Sequence, residues 1–234
     1  MTPDELLSTT RSVRRRLDLS RPVDLAVVTR CVEIALQAPN GGNSQRWHWV
    51  IVTDPELRAR IGAVYRRAFE GRYPPPQDPP PQDPPPQDVP PSAADREPPS
   101  AHERMMRSSR HLAAHLHEVP VLVIPCLRVP GGRLPEGSQA GTWGSLLPAV
   151  WSYMLAARAR GLGAAWTSVH LDFEQEVAEL LGLPDDVRQG ALIPTAHLLG
   201  SRLRPAPRGS VEEVLHFDGW TTPPAGTGGG APDA

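Results

Sequence analysis

Three tandem copies of Pro-Pro-Pro-Gln-Asp occupy 74–78, 79–83 and 84–88, and proline keeps recurring as far as Pro99. Proline fixes φ and has no N–H to donate, so neither a helix nor a sheet ladder runs through such a stretch. Polyproline II or disordered coil is what remains. Any folded body must therefore be assembled from the two flanks. Their patterns complete one another, so 72–100 reads as an insertion within one domain of about 1–220, followed by a disordered tail at 221–234. A chain of 234 residues is long enough for a sizeable core. A tolerated surface insertion is one reading of the repeat; a docking site for a proline-recognising partner is the other.

The flanks alternate between two periods. A short helix is predicted over 3–9. Val23, Val27, Cys31, Ile34, Ala35 and Ala38 recur at helical spacing and predict a helix over 24–37. The run 47–53 is apolar and β-rich enough for an interior strand. Asp54 and Pro55 then supply an N-cap and a first helical residue for a helix to about Glu70. After the insertion come a helix over 101–117, a strand over 119–127 and a Gly/Pro loop over 129–144. Leu147, Val150, Trp151, Met154, Leu155 and Arg158 form a helical stripe over 146–160, stopped by Gly161-Leu162-Gly163. A short strand follows at 164–169. Asp172 is expected as an N-cap with Gln175 at the capping-box position, and Phe173, Val177, Leu180 and Leu181 turned inward. A last strand is expected over 188–199. The order predicts a three-layer α/β or α+β domain.

Composition narrows the chemistry. The net charge of −2 argues against a nucleic-acid or membrane binder, and no apolar run approaches transmembrane length. All 24 basic residues are arginine, which excludes Schiff-base chemistry and a P-loop lysine. Cys31 and Cys126 sit far apart in apolar runs, as buried thiols of a reducing compartment do. Arg14-Arg15-Arg16 is not followed by the apolar region of an export signal, so the expectation is a cytoplasmic protein. No Gly-x-Ser-x-Gly, Walker or His-Glu-x-x-His motif occurs. His111, His115 and His117 lack a convincing set of further ligands, so no metal is expected. Asp185-Asp186 reads as a loop pair.

Two stretches remain. Ala38-Pro39-Asn40-Gly41-Gly42-Asn43-Ser44-Gln45 packs three carboxamides and two glycines into eight residues. Such a loop suits the C=O and N–H edge of a flat heterocycle, although an ordinary polar turn would carry the same residues. Arg11-Ser12-Val13-Arg14-Arg15-Arg16 sets guanidinium groups beside a hydroxyl, the make-up of a phosphate clamp or of a solvated charge run. Arg202, Arg204 and Arg208 are a second basic source.

Four segments in this order resemble the FMN-dependent nitroreductase family: Arg11-Ser12-Val13-Arg14; the 38–45 loop running into Trp47; Met154-Leu155-Ala156-Ala157-Arg158 through Gly161-Leu162-Gly163; and Leu180-Leu181-Gly182-Leu183-Pro184. The stretch from Arg208 to Val214 resembles the family's closing basic residue and acidic, apolar strand. The resemblance implies a nitroreductase-like α+β fold, a three-layer α-β-α sandwich with a mostly antiparallel sheet, in an intertwined homodimer with FMN at the interface. It implies phosphate and ribityl contacts from Arg11, Ser12 and Arg208, with Val13 and Arg15 in the same segment, and Arg14 near the flavin N1–C2 carbonyl edge. Pro39, Asn40, Gly41, Asn43 and Gln45 would line the ring from the partner subunit. Trp166, Thr167 and Ser168 would bring backbone groups to N5 and O4. NAD(P)H would be the electron donor, and nitroaromatics, quinones or similar conjugated molecules the acceptors; relatives of this fold also dehydrogenate, dehalogenate or fragment flavin, and a non-catalytic protein displaying the proline repeat is the remaining alternative. No catalytic side chain is implied, since flavin N5 carries the chemistry. The family often carries two basic residues before the serine; here the first is Thr10, so Arg15 or Arg16 would have to substitute.

Overall fold

The computed structural model describes residues 1–74, 100–200 and 202–220, so the proline repeat, its docking role and the tail lie outside the described residues. The elements are α1 (Pro3–Thr9), β1 (Leu17–Asp18), α2 (Leu25–Ala35), β2 (Trp47–Val52), α3 (Pro55–Arg72), α4 (Ala101–His115), β3 (Val121–Arg128), α5 (Ala140–Gly144), α6 (Leu147–Ala159), β4 (Leu162–Ala164), α7 (Glu174–Leu181), β5 (Val187–Gln189) and β6 (Ile193–Leu198).

Caps set several boundaries. Asp24 accepts from the Ala26 N–H at 2.8 Å and Asp54 from the Leu57 N–H at 2.7 Å. At the start of α4, Ser100 and Glu103 form a reciprocal capping box. No helix among the described residues is long and apolar enough to cross a membrane.

The strands form one six-stranded antiparallel sheet in the order β1-β6-β3-β2, with β4 also paired to β6 and β5 to β3. Alternation along the central strand β3 divides the core. Leu122, Ile124 and Cys126 face Ile61 and Val64 of α3, Leu112 of α4 and Val177 of α7. Val121, Val123 and Leu127 belong with Cys31 of α2 and Val150 and Met154 of α6. Helices thus cover both faces of an antiparallel sheet, and the protein is an α+β, three-layer α-β-α sandwich. Cys31 and Cys126 are both free and buried, and burial pushes the Cys126 thiol up to about 12.

Several expectations need correction. The expected strand 164–169 is shifted: β4 is Leu162–Ala164, because the Trp166 N–H turns to the Ser12 hydroxyl and Val169 opens a 3₁₀ turn. The expected strand 188–199 is two strands, β5 and β6, parted at Gly190. A Cβ on Gly190 would lie 2.5 Å from Leu146 Cδ2, so the chain passes close under that fully buried side chain. Asp172 does not cap α7, which begins at Glu174; its carboxylate pairs with Arg72. Phe173 is exposed beneath the Arg67 guanidinium, 4.4 Å from its ring centroid, and of the four residues expected inward only Val177 is fully buried. The helix over 101–117 ends at His115 and closes in a 3₁₀ turn, Leu116–Glu118. Part of the 129–144 loop is the short helix α5, and β1 had no signal of its own. The segment after Arg208 is no strand; Val211–Glu213 is an exposed 3₁₀ turn.

A Gly190→Val chain is expected to lose about 2–3 kcal/mol of stability through overpacking against Leu146. A urea midpoint equal to that of the parent would contradict this packing.

Candidate functional site

The basic segment leaves α1 and runs along the sheet edge. Val13 and Leu17 are buried, and the Val13 N–H donates to the Ala164 carbonyl at 2.8 Å. With these anchors inside, Ser12 and Arg14 are half-buried and Arg11 and Arg15 exposed. The Ser12 hydroxyl accepts from the Trp166 N–H at 3.0 Å. Arg16 is engaged elsewhere: its Nε donates to the Leu199 carbonyl and its Nη1 to the Arg202 carbonyl, each at 2.9 Å. That clasp brings the 202–208 segment alongside 11–16. Arg15 makes no such tie among the described residues.

Between these segments and α4 lies a cavity of about 780 Å³. Arg11, Arg14, Arg15, Arg202, Arg204 and Arg208 line it together with Ser12, and among the described residues no acidic side chain does. This donor set is cationic, forked and rich in N–H groups, which fits a phosphate monoester. A second cavity of about 180 Å³ shares Arg14 and Met105 with the first and is walled by Tyr65, Phe69, Tyr73 and the stretch 166–169. Its aromatic and hydroxyl lining fits a flat ring. The two cavities adjoin at Arg14 and Met105, which suits a ligand with an anionic tail and an aromatic head.

Arg14 stands at their junction. Burial lowers its pKa from the ordinary arginine value; the nearby Tyr65 opposes that shift and Arg11 adds to it. It stays charged at any physiological pH. Tyr65 is buried, and its hydroxyl is 2.9 Å from Thr167 Oγ1. The Thr167 N–H donates to the Leu192 carbonyl at 3.1 Å. The Trp166 and Thr167 N–H groups are therefore engaged within the chain. Of the three residues expected to present backbone donors, Ser168, which is exposed, is the one left to do so.

The carboxamide loop is not brought to this site within one chain. Gly42, Asn43 and Gln45 take φ of 59°, 50° and 48°, the last two unusual for residues with a Cβ. Its groups satisfy one another: the Gln45 N–H donates to Asn40 Oδ1 at 3.0 Å and Gln45 Nε2 to Asn43 Oδ1 at 3.2 Å. The Gly41 N–H donates to Ser145 Oγ at 3.0 Å. Pro39 instead borders an apolar groove of about 500 Å³ with Ile34 of α2 and Leu155 of α6.

Of the histidines on α4 and the turn after it, His115 Nδ1 lies 2.6 Å from Glu118 Oε1, and the His111 and His115 rings are 4.5 Å apart. Among the described residues no group of three or more His, Cys, Asp or Glu is arranged to hold a metal. Tyr65 of α3 and Met105 and Ser108 of α4 are site residues that motif reading passed over, because they are scattered through amphipathic helices with no local signature.

A family model described as the Nitroreductase family matches residues 7–197. Among curated proteins, iodotyrosine deiodinase 1 of Rattus norvegicus is 33% identical over 69 residues, 30% of this chain and 24% of that protein's length. The chain thus matches about a quarter of this curated relative. The structure of oxidized iodotyrosine deiodinase bound to FMN and 3-iodo-L-tyrosine superposes with a TM-score of 0.64 at 19% identity, covering 92% of this chain and 98% of that one. An FMN and NADPH-dependent nitroreductase from Sphigopyxis sp. strain HMH gives a TM-score of 0.64 at 21% identity, covering 94% and 100%. At these identities the structural likeness is one of fold.

Proposed function

The chain belongs to the nitroreductase family, and from that premise we propose that it is an FMN-dependent oxidoreductase using NAD(P)H to reduce nitroaromatic, quinone or similar conjugated acceptors. The observation that carries this reading is the pair of joined cavities, one arginine-lined and one aromatic, with Arg14 and Met105 at the seam. The chemistry such a cofactor supplies when bound is hydride transfer from donor to acceptor in two separate half-reactions.

In this reading Arg11, Ser12 and Arg208 hold the phosphate and ribityl chain, with Arg15 adding charge at the mouth. Val13 holds the segment to β4 through its N–H. Arg14 sets a permanent positive charge at the edge of the ring subsite, where it favours added negative charge. Ser168 is the donor the 166–168 stretch presents. The second half of the site comes from a homodimer, whose partner copy brings Pro39, Asn40, Gly41, Asn43 and Gln45 over the ring. Exposed apolar side chains support that assembly: Trp151 on α6, and Phe217 and Trp220, 75% and 89% exposed. We place the protein in the cytoplasm.

The test is spectroscopic. The purified protein, or the apoprotein given FMN, is expected to show a flavin absorption that bleaches on adding NADH or NADPH and returns with a nitroaromatic or quinone. A colourless protein that takes up no added FMN overturns the proposal. The 33% identity to a deiodinase favours a second reading, reductive removal of halide from an aromatic ring. Halide release outpacing nitro reduction would favour it over the first.

A further inference from the structure

Arg158 is the only arginine buried among the described residues, at 8% exposure on α6. Its Nε has no hydrogen-bond partner, and no carboxylate is paired with it among the described residues. A buried guanidinium without a counter-charge is unfavourable and is kept where something else balances it. It borders a void of about 10 Å³ together with Thr10, Arg11, Val13 and Leu203. Arg11, Val13 and Leu203 also wall the arginine-lined cavity, so Arg158 stands directly behind that cavity's wall. The void is too small to admit a ligand. Thr10, at the position where a second basic residue would precede Arg11, offers nothing to an anion, because its hydroxyl donates to the Leu6 carbonyl at 2.6 Å.

We infer that Arg158 is the buried cation of the phosphate site. It takes the place of the basic residue absent at Thr10 and acts on a phosphate monoester through its field, from behind Arg11, without contact. The inference rests on the FMN reading for the identity of the ligand. A charge buried behind the wall is screened less than one in open water. Arg158 is thus a positioning residue, and its effect follows the ligand's charge and not its ring.

The experiment compares FMN with riboflavin, which differs only by the phosphate, for wild type, Arg158→Met and Arg158→Lys as full chains. Fluorescence quenching titrations are expected to show FMN binding weakened roughly tenfold or more in Arg158→Met, riboflavin binding within twofold of wild type, and Arg158→Lys recovering most of the FMN affinity. A second arm uses inorganic phosphate alone: it is expected to raise the melting temperature of the wild-type apoprotein and of Arg158→Lys, and to raise that of Arg158→Met much less. Equal weakening of both flavins, or an FMN affinity unchanged in Arg158→Met, overturns the inference. If Arg158→Met does not fold, the Lys variant decides: failure to hold FMN selectively over riboflavin refutes a charge role. A wild-type chain that binds no FMN refutes the cofactor reading, and the phosphate arm then decides the role of Arg158 by itself.

Discussion

A Leu155→Glu chain is expected to elute as a monomer and to purify colourless, with affinity for added FMN reduced roughly a hundredfold, about 3 kcal/mol. Leu155 lies on α6 on the side away from the sheet, near Trp151, and borders the apolar groove that Pro39 and Ile34 close on the other side. In a two-fold interface each substitution appears twice, so one change buries two unpaired carboxylates. Nothing in the arginine cavity is touched, because Leu155 lines neither of the two ligand cavities. A loss of flavin from this distance would come through the partner's carboxamide loop alone. Light scattering together with the absorption spectrum checks it. A monomer that stays yellow would separate the loop from the flavin, and an unchanged yellow dimer would remove α6 from the interface.

The second large effect is on stability against pH. His170 is fully buried in the 3₁₀ turn Val169–Phe173, and its ring nitrogens and the facing Gln189 Oε1 lack good partners. Burial pulls its pKa down to about 4, against weaker upward pulls from Gln189 and Asp172. The folded chain thus keeps His170 neutral where the unfolded chain, with a pKa near 6.5, takes up a proton. Stability is therefore full above pH 6.5 and falls as the pH drops towards 4, by about 3 kcal/mol in all. The exposed carboxyls with lowered pKa values, Asp18, Glu103 and Glu118, act only at lower pH, below their ordinary range near 4. Urea titrations from pH 7 to 4.5 are expected to show the loss in wild type and a clearly shallower curve in His170→Phe, where His111, its pKa also lowered by burial, still acts in this window. Parallel curves for the two chains would place the acid sensitivity elsewhere.

What was legible in the sequence was what local physics decides. Asp54-Pro55 starts α3 as read, because a cap and a proline at the first turn depend on no distant neighbour. The stripe on α6 was read correctly as helix, but Trp151 within it is 36% exposed: periodicity finds an apolar face without saying what covers it. Errors gathered where long-range contacts override local preference. Asp172 looks like a cap, yet Arg72, a hundred positions away, takes its carboxylate. The run 188–199 reads as one extended stretch, and the side chain of Leu146 crossing over Gly190 marks where it breaks. In the site, the arginines were found because they stand together in sequence. Tyr65 and Arg158 were not singled out for it, since each looks like an ordinary helix residue until the fold sets it beside the basic segment.

The Arg16 clasp has a consequence for how the protein is made. It joins the start of the basic segment to carbonyls 183 and 186 positions later, and Ser12 meets its partner N–H only 154 positions on. At roughly 5–20 residues per second, a ribosome needs of order ten seconds to cover that interval. Throughout it the arginines of 11–16 are outside with no opposite wall. The arginine-lined cavity is thus among the last things the nascent chain acquires. Any truncation that removes 199–208 would leave Arg11, Arg14 and Arg15 without the wall that faces them across the cavity.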